Sequence, residues 1–232
     1  MSKLLLKYLL CGLLAIALSE NIHPQQIQDT NSTAKQQAVA NIRLMRLSRE
    51  EDGLHKAALA NGGSYVLRIP GTRWNVAATV ADLVSESKLI AIVNVSSEET
   101  RLINDGRGIG TFYKFSVISV LEGDATNLAS SMIELPGGTY VYDDRSIAAI
   151  DVERRPRMRV GHTYVIFLKP SATSSNILEP TFESQGIFEV SDDGATVRHY
   201  SMESGDTISG QYNGQPKEKL LSDVMNVLSK DK

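Results

Sequence analysis

Cysteine is nearly absent from this chain: Cys11 is the only one in 232 residues. It lies inside an apolar stretch near the start, behind Leu9 and Leu10. A lipidated cysteine would instead follow such a stretch and be preceded by small residues. Met1–Ser19 has the layout of a secretory signal, with Lys3 and Lys7 in a basic n-region, Tyr8–Leu18 as the h-region, and Ala17-Leu18-Ser19 before the cut at Glu20. The run from Tyr8 to Leu18 falls short of the roughly 20 apolar residues a spanning helix needs. The expected mature chain therefore keeps no membrane span. It also keeps no cysteine, which excludes a disulfide framework and thiolate chemistry.

Positive charge is not in excess either. The formal net charge is −3, and removal of Lys3 and Lys7 makes the mature chain more acidic. That argues against nucleic acid, which is gripped by clustered Lys and Arg. Histidine is scarce, and His23, His55, His162 and His199 fall in no His-x-x-x-His spacing, so no metal site is expected. No Gly-x-Ser-x-Gly elbow is present. Gly106-Arg107-Gly108-Ile109-Gly110 precedes a strand rather than a helix, so it reads as a hairpin loop and not a phosphate cradle. No catalytic residue and no cofactor is expected.

What remains is patterning. Residues 20–35 are polar and read as a flexible leader. Residues 36–80 form a helical segment and an extended connector. Within Ala34–Leu59, Val39, Ile42 and Leu47, with Met45 nearby, can share an apolar stripe, and Gly53 makes this one kinked helix or two short ones. Asn61-Gly62-Gly63 stops it. Ser64–Ile69 alternates weakly and reads as a short strand or extended segment closed by Pro70-Gly71. Trp74, the only tryptophan, reads as a plug under a short helix over Thr79–Glu86.

Residues 81–200 carry the body. Leu89–Val95 is apolar throughout, as in a strand covered on both faces. In Thr111–Leu121 the alternation slips after Val117, which predicts a bulge in a curling strand. Met132–Leu135 and Tyr164–Leu168 are further strands. Gly186–Val190 and Thr196–Tyr200 flank the turn Asp192-Asp193-Gly194. Residues 201–232 supply a linker and a helix over Pro216–Leu228, with Leu220, Leu221 and Val224 on one stripe.

The stretch Ala81-Asp82-Leu83-Val84-Ser85-Glu86-Ser87-Lys88-Leu89-Ile90-Ala91-Ile92-Val93 resembles the first helix and strand of the netrin-like and tissue-inhibitor-of-metalloproteinase-like (TIMP-like) OB-fold domains. It is also similar to bacterial exported proteins that share the pattern. Phe112–Val117, Val120-Leu121-Glu122-Gly123-Asp124, Pro136-Gly137-Gly138 and Val160–Leu168 extend the resemblance. It implies a mainly β chain with an OB-like small β-barrel, an N-terminal helical segment and a C-terminal helix. Family members that inhibit metalloproteinases use an N-terminal cysteine on the catalytic zinc. The expected mature N-terminus here is Glu20, so that mechanism has no residue to carry it.

One patch stands out. Arg154, Arg155, Arg157 and Arg159 crowd into a long loop, Thr139–Arg159, which also holds Tyr140 and Tyr142. Long loops in compact domains often carry function, and arginine's planar fork suits carboxylate or phosphate. The loop is either a docking site for an acidic protein or anionic envelope ligand, or a solvated loop balanced by Asp143, Asp144, Asp151 and Glu153. The expected function is an exported, periplasmic or extracellular, non-enzymatic binding module. The alternatives are an exported hydrolase whose residues, such as His162 or His199 with Asp143, converge only in the fold, and a protease-inhibitor-like protein.

Overall fold

The computed structural model describes residues 24–70, 76–124, 126, 131–153, 157–172, 174, 176–199 and 206–230, with backbone alone over 24–35. The expected signal segment, Trp74, Arg154 and Arg155 lie outside the described residues. A helical unit ends at Arg46 and a larger unit begins at Leu47.

Helix α1 covers Pro24–Leu47, so it begins within the stretch expected to be a leader. Of the apolar stripe, Val39, Ile42 and Met45 are exposed and Leu47 is half-buried. Its helicity rests on good helix formers such as Ala38, Ala40, Arg43, Leu44 and Arg46 rather than on burial of those three side chains.

In the larger unit, α2 (Gly53–Ala60) starts after a break at Ser48–Asp52, which settles the choice in favour of two helices. Gly53 is required there, because a Cβ would meet the Leu47 carbonyl oxygen at 2.3 Å. Strand β1 (Ser64–Ile69) pairs in parallel with β6 (Ile147–Val152), and β6 pairs antiparallel with β5 (Gly138–Val141). This three-stranded sheet, ordered β1-β6-β5, corrects the reading of Thr139–Arg159 as one long loop. Gly138 is short of side chain and Ala148-Ala149 is weakly β-forming, so neither strand announces itself. Pairing with β1, far away in sequence, makes them strands.

The second sheet is larger. Helix α3 (Val80–Glu86) opens with a capping box, in which Thr79 and Asp82 bond each other's backbone amides. It leads into β2 (Leu89–Ile103), which forms a long hairpin with β3 (Gly108–Glu122). The register shifts there pass over Ile118 and Leu121 on β3 and Ser96 on β2, so the bulge falls where the alternation slipped. Strands β4 (Met132–Pro136), β7 (Thr163–Pro170), β8 (Ile177–Pro180), β9 (Ile187–Val190), β10 (Thr196–His199) and the two-residue β11 (Gln215–Pro216) complete the order β11-β10-β9-β7-β2-β3-β4-β8. Strand β8 pairs in parallel with β4 and antiparallel with β7. Helices α4 (Thr207–Tyr212) and α5 (Lys217–Leu228) follow. The chain is mainly β, with helices toward both ends.

Strand β7 divides two cores. Tyr164, Ile166 and Leu168 enter one with Ala91, Val93, Val95, Tyr113, Ile133 and Met158. Val165 and Phe167 enter the other, with Phe188, Val197, Leu83, Ile208, Tyr212, Leu220 and Val224. Helices α3, α4 and α5 cover that second core, which explains the apolar stripes of α3 and α5.

Candidate functional site

Two of the four expected arginines are described, and both lie just before β7. Arg159 begins a turn in which the His162 amide donates to the Arg159 carbonyl at 3.2 Å, with Gly161 at φ 85°. The turn is fastened to β2. Gly161 N–H donates to the Val95 carbonyl at 2.8 Å, Val95 N–H donates to the His162 carbonyl at 3.0 Å, and Asn94 Nδ2 donates to the Gly161 carbonyl at 2.9 Å. The Arg159 amide donates to the Tyr164 hydroxyl at 2.7 Å.

This fastening delivers Arg159 to Glu189. Glu189 sits opposite Tyr164 on β9, and only 6% of its side chain is exposed. Arg159 donates to its Oε1 through Nε at 3.1 Å and through Nη2 in a short bond. Tyr164 donates to the same oxygen at 3.5 Å. His162 Nδ1 lies 3.1 Å from Glu189 Oε1 and 3.6 Å from Asp192 Oδ1, without hydrogen-bond alignment. A buried carboxylate needs such company, since an unpaired charge away from water is costly. The Arg159 side chain remains 58% exposed, so the buried acid holds a guanidinium that still faces solvent.

Next to this group, the Tyr113 hydroxyl is buried, and no hydrogen bond of ordinary geometry reaches it. Burial, then the Glu98 charge, pushes its ionisation up to about 12, opposed by the Arg157 charge and the nearby Met158 backbone. Arg157 is exposed. The cluster thus joins Arg157 and Arg159 to Tyr113, Tyr164, His162 and Glu189. Sequence reading missed Glu189, because Phe188-Glu189-Val190 looks like a strand with its acid turned outward. Both faces of β9 are covered instead.

Tyr140 and Tyr142 join a different group. Their rings meet edge to face at 5.0 Å, and Tyr142 stacks on His55 of α2 at 4.1 Å and 14°. His55 Nε2 donates to Asp144 Oδ2 at 2.9 Å. The Ser146 amide and hydroxyl donate to Asp144 Oδ1 at 2.9 and 2.6 Å. The Ser146 hydroxyl bond first, and then His55, hold the Asp144 carboxyl down at about 2. Burial, with Tyr140, Asp52 and Asp144 nearby, pushes the Tyr142 hydroxyl up to about 12. The start of α2 is pinned to the β2–β3 hairpin tip, Asp52 N–H donating to the Asp105 carbonyl at 3.0 Å. Serine, histidine and aspartate meet here, but the serine bonds the carboxylate and not the imidazole. That order positions a turn and activates no nucleophile.

A third group has the same residue types and is fully interior. His199 Nε2 donates to the Gln185 carbonyl at 3.0 Å, while Nδ1 meets Ser209 Oγ at 2.5 Å and lies 3.8 Å from Asp206. The Gln185 side chain meanwhile bonds both the amide and the carbonyl of Ala77. The group ties β10, α4 and the segment before α3 together. The convergence of His162 or His199 with Asp143, raised from sequence, is replaced by these partners.

Among the described residues, no three His, Cys, Asp or Glu side chains gather as a metal would require. Among them too, no helix is long and apolar enough to cross a membrane. Comparison with protein-family models, with curated proteins and with solved structures finds no match to this chain.

Proposed function

We propose that the chain is an exported, non-enzymatic module on an OB-like barrel that binds an anionic envelope ligand through Arg157 and Arg159. The observation that carries this reading is Arg159 on Glu189. A buried carboxylate holds one edge of the guanidinium, so the side chain gives up little rotamer freedom when its exposed part meets a carboxylate, sulfate or phosphate. Arg157 adds a second positive charge two residues away. Barrel closure is supported by β8, whose pairing with both β4 and β7 links β2, β3, β4, β8 and β7 in a ring. Amide contacts in solution between β7 and β8 test that closure; their absence opens the ring. Export is supported by the pattern of Met1–Ser19, and recovery of exported protein that still starts at Met1 would overturn it.

Binding is tested with a sulfated oligosaccharide and with polyglutamate as probes. The full chain is compared with Arg157→Glu and Arg159→Lys by titration calorimetry at several salt concentrations. Loss of a charge-assisted bond worth about 1.5–3 kcal/mol weakens binding roughly tenfold or more. Arg159→Lys keeps the charge and loses the fork, so it weakens binding less than Arg157→Glu. No binding of either probe, or identical binding by all three proteins, rejects the arginine site.

A further inference from the structure

We infer that β1 is a self-association edge, and that two copies of this chain pair antiparallel through Ser64–Ile69 about a two-fold axis at Val66.

The backbone of β1 has a fixed sidedness. Ile147 N–H donates to the Gly63 carbonyl and Glu153 N–H donates to the Ile69 carbonyl, both at 2.9 Å. In a parallel ladder the residues facing the partner alternate, so Gly63, Tyr65, Leu67 and Ile69 face β6. Ser64, Val66 and Arg68 therefore turn their amides and carbonyls away from it. The Ser64 carbonyl accepts from Asn61 Nδ2 at 2.7 Å, and among the described residues none bonds the backbone of Val66 or Arg68 on that side. The opposite edge of this sheet is closed. A Cβ on Gly138 of β5 would meet Thr111 Oγ1 at 2.7 Å and Thr100 Cγ2 at 2.8 Å, so β5 lies against the β2–β3 hairpin.

The open edge has few of the features that keep edges apart. Its register with β6 runs through six residue pairs without a bulge, and proline comes only after it, at Pro70. Its one charge, Arg68, lies beside Asp151 on β6, Nε to Oδ2 at 3.9 Å. The sheet face on which Val66 sits also carries Val141 and Ile147, and these three are 56%, 60% and 39% exposed.

A second copy is the occupant that fits this edge on both sides. Antiparallel pairing centred on Val66 sets Ser64 opposite Arg68, Tyr65 opposite Leu67, and Val66 opposite Val66 of the second copy. Every residue then meets one of the same face. The two Val66 residues exchange both hydrogen bonds, and the Ser64 amide meets the Arg68 carbonyl, while the Ser64 carbonyl, which accepts from Asn61, has its second lone pair for the Arg68 amide. The two three-stranded sheets become one, with both Val66 side chains covered at the axis. The contact is short, so the dissociation constant is on the order of micromolar.

The test is sedimentation velocity of the full chain over a concentration series, with unfolding curves recorded for each variant. Val66→Pro removes an outward amide that the β1–β6 ladder does not use, and Val66→Lys sets two charges together at the axis. Each is expected to weaken association at least ~tenfold, as loss of a pair of exchanged hydrogen bonds would. In a Cys11→Ser background, Val66→Cys is expected to form a disulfide-linked dimer on mild oxidation, because opposed residues in such a pair lie about 5.5 Å apart. Ala149→Cys, one strand away from the axis, is expected to stay monomeric. A chain that remains monomeric at about a hundred times the expected constant, or equal cross-linking by both cysteine variants, overturns the proposal.

Discussion

In the eight-stranded sheet, successive residues of β7 enter cores on opposite faces. In the three-stranded sheet, Tyr65 and Ala148 are buried while Val66 on the next position of β1 is more than half exposed. One sheet is sealed on both faces along its central strands, and the other on one face only. Sealing on both faces ties stability to interior packing, whereas a half-covered sheet keeps a surface and an edge for other uses.

The contrast can be broken most severely at Phe188. It is wholly buried and touches Phe167, His199 and Tyr212 at ring distances of 5.7, 4.6 and 6.0 Å. Phe188→Ala is expected to cost about 3–5 kcal/mol in denaturant unfolding. Leu54, fully buried on the helix adjoining the small sheet, should cost about 2–3 kcal/mol when changed to Ala. If that loss equals or exceeds the one at Phe188, the small sheet is as tightly built as the large one. Glu189→Ala comes next, at about 1–2 kcal/mol, since its partner Arg159 stays largely in water and the pair is discounted accordingly.

The smallest effect is at Asp144, on the turn of the small sheet. Its carboxyl is held below the ordinary 3.8, at about 2, by Ser146 and then His55. The contribution of that lowered carboxyl is complete above about pH 4 and is lost as pH falls through about 2. Unfolding midpoints of the wild type should therefore drop toward pH 2 more steeply than those of Asp144→Asn. Parallel curves would remove Asp144 from the account.

The sheets also differed in how visible they were in the sequence. Leu89–Val95 and Tyr164–Leu168 stood out because a strand buried on both faces must be apolar throughout. The slip after Val117 showed the bulge for the same local reason. The pairing of β1 with β6 left no such mark: Ser64–Ile69 was legible as an extended segment, but its partner lies far along the chain and carries the weakly β-forming Ala148-Ala149. The arginine stretch was visible as charge, but its anchor was not. Glu189 is recognisable only once Arg159, His162 and Tyr164 have been brought around it. Val39, Ile42 and Met45 show the limit of such spacing, which tells which side chains share a helix face and not whether anything covers that face.

Strand β7 is apolar on both sides from Tyr164 to Leu168, so its hydrophobic pattern by itself does not say which side chains face which core. One mark of the right alignment is polar. The Tyr164 hydroxyl meets the Arg159 amide and Glu189 only when Tyr164 stands across from Glu189. The cluster at the start of this strand thus adds a polar fastening to the alignment that the two cores already favour.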